Sequence, residues 1–195
     1  RIERVAEEIR NWGGEVLPLQ IDVSNKEDID RMVEKTLEKF GRIDFLFNSA
    51  GRITRVSPEN FSEVDWDEEI KVNLKGTFLC CQAVGRIMIK QKRGKIINLS
   101  SVASFIGGKN SPAYAASKGG VSQLTKSLAS DWAKYNIRVN AIGPGYFMTD
   151  LTEALRRDPE RLSAINARIP LGRWGEPEDL AGIAVFLASD ASDYI

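Results

Sequence analysis

Tyr114 and Lys118 are the residues whose types and spacing could do chemistry. They stand four apart in P-A-Y-A-A-S-K, so on a helix they share one face. Ser111 reads as the N-cap of that helix, and Pro112 as its first residue. A lysine beside a phenol favours the phenolate. At an effective dielectric of 20 and about 4 Å the attraction is roughly 4 kcal/mol. Before desolvation offsets it, that is up to about three pKa units, enough to draw a phenol from near 10 toward neutrality. The alternative is an exposed tyrosine and lysine on an ordinary helix. Ser101 lies thirteen residues before Tyr114. Its hydroxyl can donate to a carbonyl oxygen or a developing alkoxide; Ser100, Ser104 and Ser117 compete for that role. Asn73, a poor helix former within a long helical pattern, either breaks the backbone ladder and holds a water or bonds local backbone. Gly119-Gly120 costs about 1 kcal/mol per glycine inside a helix, which implies close approach of another backbone or a ligand.

Composition narrows the chemistry. The 195 residues contain no histidine, which excludes Ser-His-Asp and Cys-His machinery and disfavours zinc. Lysine plus arginine balance aspartate plus glutamate at 27 each, so no basic field favours nucleic acid or an anionic membrane. Cys80 and Cys81 are adjacent in an apolar run and read as buried thiols in a reducing compartment. With no membrane-length apolar run and no signal pattern, the expected location is cytoplasmic. The chain opens on Arg1 inside a helix-like stretch, with Ile2, Val5, Ala6 and Ile9 on one face, and ends on Asp193-Tyr194-Ile195. It reads as a fragment.

Elements must position these groups. Glu15 to Asp22 reads as a strand with Pro18 at an edge or bulge. Ser24 and Glu27 form a capping box for a helix through Phe40. Ile43 to Phe47, Lys95 to Leu99 and Ile137 to Ile142 are further strands. Helical patterns cover Asp65 to Lys92, interrupted at Asn73 and Gly76, and Pro112 to Tyr135. One or two short helices are expected between Tyr146 and Pro170, and a last helix from Pro177 to about Ala188. Strands alternating with helices predict an α/β domain with a parallel sheet. In such sheets ligands bind beyond the carboxyl ends of the strands. Asp22-Val23, Asn48-Ser49-Ala50-Gly51, Ser100-Ser101 and Gly143-Pro144-Gly145 all fall on that rim.

The set N-S-A-G at Asn48–Gly51, Asn73, Ser101, Tyr114-x-x-x-Lys118 and P-G-x-x-x-T at Pro144–Thr149 resembles the short-chain dehydrogenase/reductases. The resemblance runs the length of the chain, with Ser49 in place of the commoner asparagine. It implies a Rossmann-like, doubly wound parallel sheet and hydride transfer between NAD or NADP and an alcohol or ketone. It implies Tyr114 as general acid/base, Ser101 polarising the substrate oxygen, Lys118 lowering the phenol pKa and binding ribose, and Asn73 positioning a relay water. For the cofactor it implies Asp22 and Val23 at the adenine, Asn48, Ala50 and Gly51 at the adenosine side, and Pro144, Gly145 and Thr149 at the nicotinamide and phosphate. The family's glycine-rich turn and strands one, two and seven are not among these residues. The sheet is therefore expected to be incomplete, and this stretch by itself to bind cofactor weakly and fold without full cooperativity.

Residues 1–195 form one domain, with 146–175 as a substrate lid. The lid text resembles the gluconate 5-dehydrogenase and 2-deoxygluconate dehydrogenase branch, and shares much with the 3-oxoacyl-acyl-carrier-protein reductases. A sugar acid such as gluconate is the implied substrate, with Arg168, Arg173 or Lys109 as carboxylate partners or as plain surface charges. Trp174 reads as packing. A carrier-protein-dependent reductase would need a basic docking patch, which Arg86, Lys90, Lys92, Arg93 and Lys95 could supply. A non-catalytic cofactor-binding protein is the third reading. The helices Asn73–Met88 and Pro112–Trp132 resemble those of the family's tetramer bundle, which implies a homotetramer.

Overall fold

Three parallel strands, β1 (Phe45–Asn48), β2 (Gly94–Leu99) and β3 (Ile137–Ile142), form a sheet in the order β1-β2-β3. They belong to a computed structural model that describes residues 2–195. Asn48 stands opposite Asn98, and Leu99 opposite Ile142, so the carboxyl ends of all three strands share one rim. Parallel neighbours need crossovers, which the helices supply. In chain order these are α1 (Ile2–Asn11), α2 (Lys26–Phe40), α3 (Glu63–Ile70), α4 (Thr77–Gln91), α5 (Ala103–Ile106), α6 (Pro112–Trp132), α7 (Glu153–Arg156), α8 (Pro159–Asn166) and α9 (Ala181–Ala188).

Strand β2 is the centre and is buried on both faces, as a covered parallel strand must be. Ile96 packs with Val33 of α2, Val84 and Met88 of α4, and Leu128 of α6. Ile97, pointing the other way, packs with Ile142 and with Leu187 of α9. Helices α2, α4 and α6 therefore cover one face and α9 the other. Gly85 lets α4 meet α6: a Cβ there would lie 2.6 Å from the Trp132 ring.

Several expectations shift. Glu15 to Asp22 forms no strand, because no described strand lies beside it to make a ladder. The cap of α2 is Asn25, which accepts from the Glu27 amide at 2.8 Å, while Ser24 donates its own amide to Asp22 Oδ1 at 2.8 Å. Ser111 occupies the N-cap position of α6 without a side-chain cap bond. Its Oγ turns instead to the Gly108 backbone, 2.5 Å from where a Cβ would stand. On α1 only Ala6 of the apolar face is buried; Ile2 and Val5 are exposed. The long pattern after residue 65 is α3 and α4 joined by a π-helical turn over Lys71–Gly76, with Asn73 inside it. Among the described residues, no helix is long and apolar enough to cross a membrane.

Candidate active site

The strand-end rim opens into a cavity of about 620 Å³. Ser101, Tyr114, Pro144, Gly145 and Thr149 line it, as the motif spacing requires. The short helix α5 and the segment from Tyr146 to Arg168 form its far wall. That segment carries its own small core of Leu155, Ile165 and Trp174. The Trp174 indole donates to Asn166 Oδ1 at 2.7 Å and packs on Tyr146, which makes this tryptophan a packing residue.

Hydrogen bonding separates the serines. Ser100 Oγ donates to the Lys118 carbonyl at 3.1 Å and meets Ser122 Oγ at 2.6 Å. Ser104 Oγ donates to the Ser101 carbonyl at 2.7 Å, and Ser117 Oγ to the Tyr114 carbonyl at 2.8 Å. Ser101 Oγ accepts from the Ala103 amide at 3.1 Å. An accepting hydroxyl keeps its own proton to donate, so Ser101 is the serine equipped to bond an oxygen in the cavity.

The expected electrostatics of the Tyr114–Lys118 pair is corrected. Burial raises the Tyr114 pKa, with the Ser101 hydroxyl and the Arg55 charge pulling it down and the Glu69 charge pushing it up. Lys118 Nζ lies 5.7 Å from the ring centroid and donates to the Leu99 carbonyl at 2.6 Å. Burial brings its own pKa down to about 8. Desolvation therefore acts on both partners and outweighs the through-space attraction assumed from spacing.

Asn73 is fully buried and bonded, but not to local backbone. Its Oδ1 accepts the Arg52 amide at 2.8 Å, and its Nδ2 donates to the Arg52 carbonyl at 2.9 Å and to Ser117 Oγ at 3.1 Å. It thereby splices the loop after β1 to α6. Gly51 lies between these parts: a Cβ there would sit 3.4 Å from Asn73 Oδ1 and 3.8 Å from Lys118 Nζ. The missing side chain leaves space over the ammonium. Lys118 uses one of its three donors on Leu99, so the geometry fits a hydroxyl-rich group such as a nicotinamide ribose. Gly145 faces open space as well.

The remaining rim residues divide. Asn48 turns inward: its Nδ2 donates to Asn98 Oδ1 at 2.9 Å, and Asn98 donates to Thr125 Oγ1 at 3.0 Å, a buried polar chain beneath the site. Ala50 is exposed beside Gly51. Asp22 borders a separate surface hollow with Gln20, Ile21 and Asp28. Val23 is clamped by Gly76, whose missing Cβ would lie 3.0 Å from the Val23 carbonyl oxygen. Gly120 approaches Leu74 of the π-helical turn, 2.8 Å from where its Cβ would stand, whereas Gly119 meets nothing within 4 Å. The glycine pair thus has one packing reason, and it involves a side chain.

The cavity holds more positive charge than Lys109 and Arg168 alone supply. Lys109 and Arg168 line it, but so do Arg55 and Arg161, with Glu160 as the one lining carboxylate. Arg173 is instead held by Asp179 at 2.6 and 3.1 Å, outside the lining. Burial lowers the Arg55 pKa, and Arg161 adds like-charge repulsion. The alternation in Arg52-Ile53-Thr54-Arg55 was the available signal: in an extended segment, residues 53 and 55 share a side. Of the five basic residues expected as a docking patch, Arg93 pairs with Asp190 at 2.6 Å and Lys95 with Asp193 at 2.7 Å.

A parallel sheet flanked by helices, with serine, tyrosine and lysine at its carboxyl rim, defines an oxidoreductase of the nicotinamide-dependent α/β class. The family model described as Enoyl-(Acyl carrier protein) reductase matches residues 1–195. The 2-dehydro-3-deoxy-D-gluconate 5-dehydrogenase of Dickeya dadantii is 48% identical over 190 residues, covering 97% of this chain and 75% of the relative. The 3-oxoacyl-[acyl-carrier-protein] reductase of Thermotoga maritima is 43% identical over 194 residues, covering 100% and 78%. A crystal structure of a gluconate 5-dehydrogenase from Burkholderia cenocepacia, in complex with NADP and tartrate, superposes with a TM-score of 0.94 at 39% identity, covering 98% and 75%. The chain belongs to this family, the short-chain dehydrogenase/reductases.

Proposed function

We propose that the protein transfers hydride between NAD or NADP and a secondary alcohol or ketone that carries a carboxylate, a sugar acid of the gluconate type. The observation that carries the reading is the pair of like charges, Arg55 and Arg161, in the same cavity as the Tyr114 phenol. Two guanidiniums that line one cavity and repel each other are relieved by an anion, and Arg binds carboxylate with matched geometry. The relatives named for gluconate chemistry support the same class.

When bound, the nicotinamide supplies or accepts the hydride. Ser101 donates its hydroxyl proton toward the substrate oxygen, stabilising the charge that develops there. In the reducing direction the Tyr114 phenol protonates that oxygen; in the oxidising direction the phenolate removes the hydroxyl proton. Because burial raises the phenol pKa, reduction is favoured near neutrality and oxidation at more alkaline pH. Lys118 would hold the ribose with its uncommitted donors, and Asn73 fixes the loop that bears Gly51. Pro144, Gly145 and Thr149 would border the nicotinamide, and Asp22, Val23, Asn48, Ala50 and Gly51 would form the adenosine side. Asn48 acts there through the buried chain that shapes the strand end. Segment 146–175 closes over the substrate as a lid on its own core.

The carrier-protein-dependent reductase is the second reading, favoured by the Thermotoga relative. The commitment of Arg93 and Lys95 to Asp190 and Asp193 weighs against its docking patch. A homotetramer built on α4 and α6 is supported by the partial exposure of Phe78 on α4, and a cytoplasmic location goes with the two free thiols. The test is steady-state kinetics with gluconate, acetoacetyl thioester and an uncharged secondary alcohol, using both nicotinamides. Arg55→Met should raise the gluconate KM by roughly 10- to 100-fold, the range expected for a hydrogen bond to a charged group. Equal losses on the uncharged alcohol, or preference for the thioester, would reject the sugar-acid assignment. Tyr114→Phe should abolish turnover while nucleotide affinity stays; retained turnover refutes the acid/base role.

A further inference from the structure

We propose that Glu69 is a positioning residue for Arg55, holding the loop after β1 so that Arg55 is presented to the substrate; this rests on the sugar-acid reading above. Glu69 is fully buried on α3, 0% exposed, one turn before Asn73. Its Oε2 accepts the Thr54 amide at 2.8 Å. Asn73 grips both the amide and the carbonyl of Arg52. The two side chains thus form a ladder on one helical run, and the loop hangs from it by alternate residues, 52 and 54. Alternation sends the intervening positions to the other side. Those positions are Ile53 and Arg55, and both line the cavity.

The tether is an expensive one. A carboxyl group buried without full hydrogen bonding is unfavourable, and Glu69 Oε1 has no partner while buried. An amide would hold Thr54 as well without carrying charge. The groups whose charge reaches Glu69 are Arg52 and Arg55, and Glu69 in turn acts on the Tyr114 phenol. Behind the cavity wall, a buried acid therefore supports the guanidinium that burial and Arg161 both disfavour. Glu69 itself does not line the cavity and touches no substrate; it acts through Arg55.

Glu69→Met keeps the side-chain length and removes the acceptor, whereas Glu69→Gln keeps an acceptor and removes the charge. In the full-length protein, Glu69→Met should speed amide hydrogen exchange across residues 52–56. It should also raise the gluconate KM about tenfold, with kcat and the nicotinamide KM changed less than about twofold. Glu69→Gln should restore slow exchange, because the acceptor remains, but only part of the KM, because the charge beside Arg55 is gone. Wild-type exchange in Glu69→Met overturns the tether, whatever the substrate. Fast exchange with an unchanged gluconate KM, or equal loss on an uncharged alcohol, overturns the positioning role. If Glu69→Met fails to fold, Thr54→Pro deletes the same bond from the donor side and is read identically. Arg55→Met run in parallel separates the two ideas: an unchanged gluconate KM there rejects the sugar-acid assignment, while the exchange data still decide Glu69.

Discussion

Replacing Lys118 with methionine is expected to stabilise the nucleotide-free protein while removing its turnover. Lys118 is 4% exposed, and burial depresses its pKa from 10.5 to about 8. At about 1.36 kcal/mol per pKa unit, holding the charged ammonium in the folded state costs roughly 3 kcal/mol relative to the unfolded chain. The substitution also deletes the bond to the Leu99 carbonyl, worth about 1 kcal/mol. A net gain of about 2 kcal/mol is therefore expected near pH 7, roughly a 1 M rise in urea midpoint for a chain of this size. The gain has a defined pH window. Below pH 8 the lysine is protonated in both states and the penalty is complete. Between about 8 and 10.5 the folded protein releases the proton that the unfolded chain keeps. Wild-type stability then rises relative to the variant as pH increases. Urea melts of both proteins at pH 6.5, 8 and 9.5, without nucleotide, measure this directly. A variant less stable than wild type at pH 6.5, or a gap that does not narrow toward pH 9.5, would refute the account of Lys118 as a charge held against its solvation.

The two helix glycines should respond oppositely. Gly119→Ala meets open space and should add roughly 0.5 to 1 kcal/mol through helix propensity, whereas Gly120→Ala drives a methyl against Leu74 and should cost about 1 to 3 kcal/mol by thermal melting. Asn98→Leu removes the oxygen that accepts from the Asn48 amide and the amide that donates to Thr125 Oγ1, while Thr125 keeps its bond to the Val121 carbonyl; it should destabilise by about 1 to 3 kcal/mol in urea melts, with cofactor affinity falling as the β1 end loosens. An Asn98→Leu protein as stable as wild type would show that this chain is not structural.

Much of the site was legible from order and spacing. Strands β1, β2 and β3 were readable because short apolar runs ended in glycine, asparagine or serine, and the parallel arrangement followed from alternation with helices. Tyr114, Ser101, Pro144, Gly145 and Thr149 do meet in one cavity. Glu15–Asp22 was misread because an apolar extended segment becomes a strand only with a neighbour, and neighbours are a tertiary property. The Ser24 cap failed for a smaller reason: Asn25, one residue on, supplies the capping oxygen to the Glu27 amide, while the Ser24 amide is turned to Asp22. Arg55, Arg161 and Glu69 carried no local signature beyond an alternating tetrapeptide and an acid on a helix.

The amino-acid sequence determined the class of chemistry. Without histidine, proton transfer near neutral pH had to pass through a perturbed tyrosine, lysine or carboxyl, and the Tyr114–Lys118 spacing placed two of these on one helix face. Tertiary structure decided the rest. It chose Ser101 by occupying the other hydroxyls, turned Asn73 into a splice between loop and helix, and reversed the direction of the Tyr114 shift. It also set four cations around one cavity. The reason is physical: spacing fixes which groups can face one another, but desolvation and hydrogen-bond competition depend on everything else packed around them. Only folding supplies that surrounding.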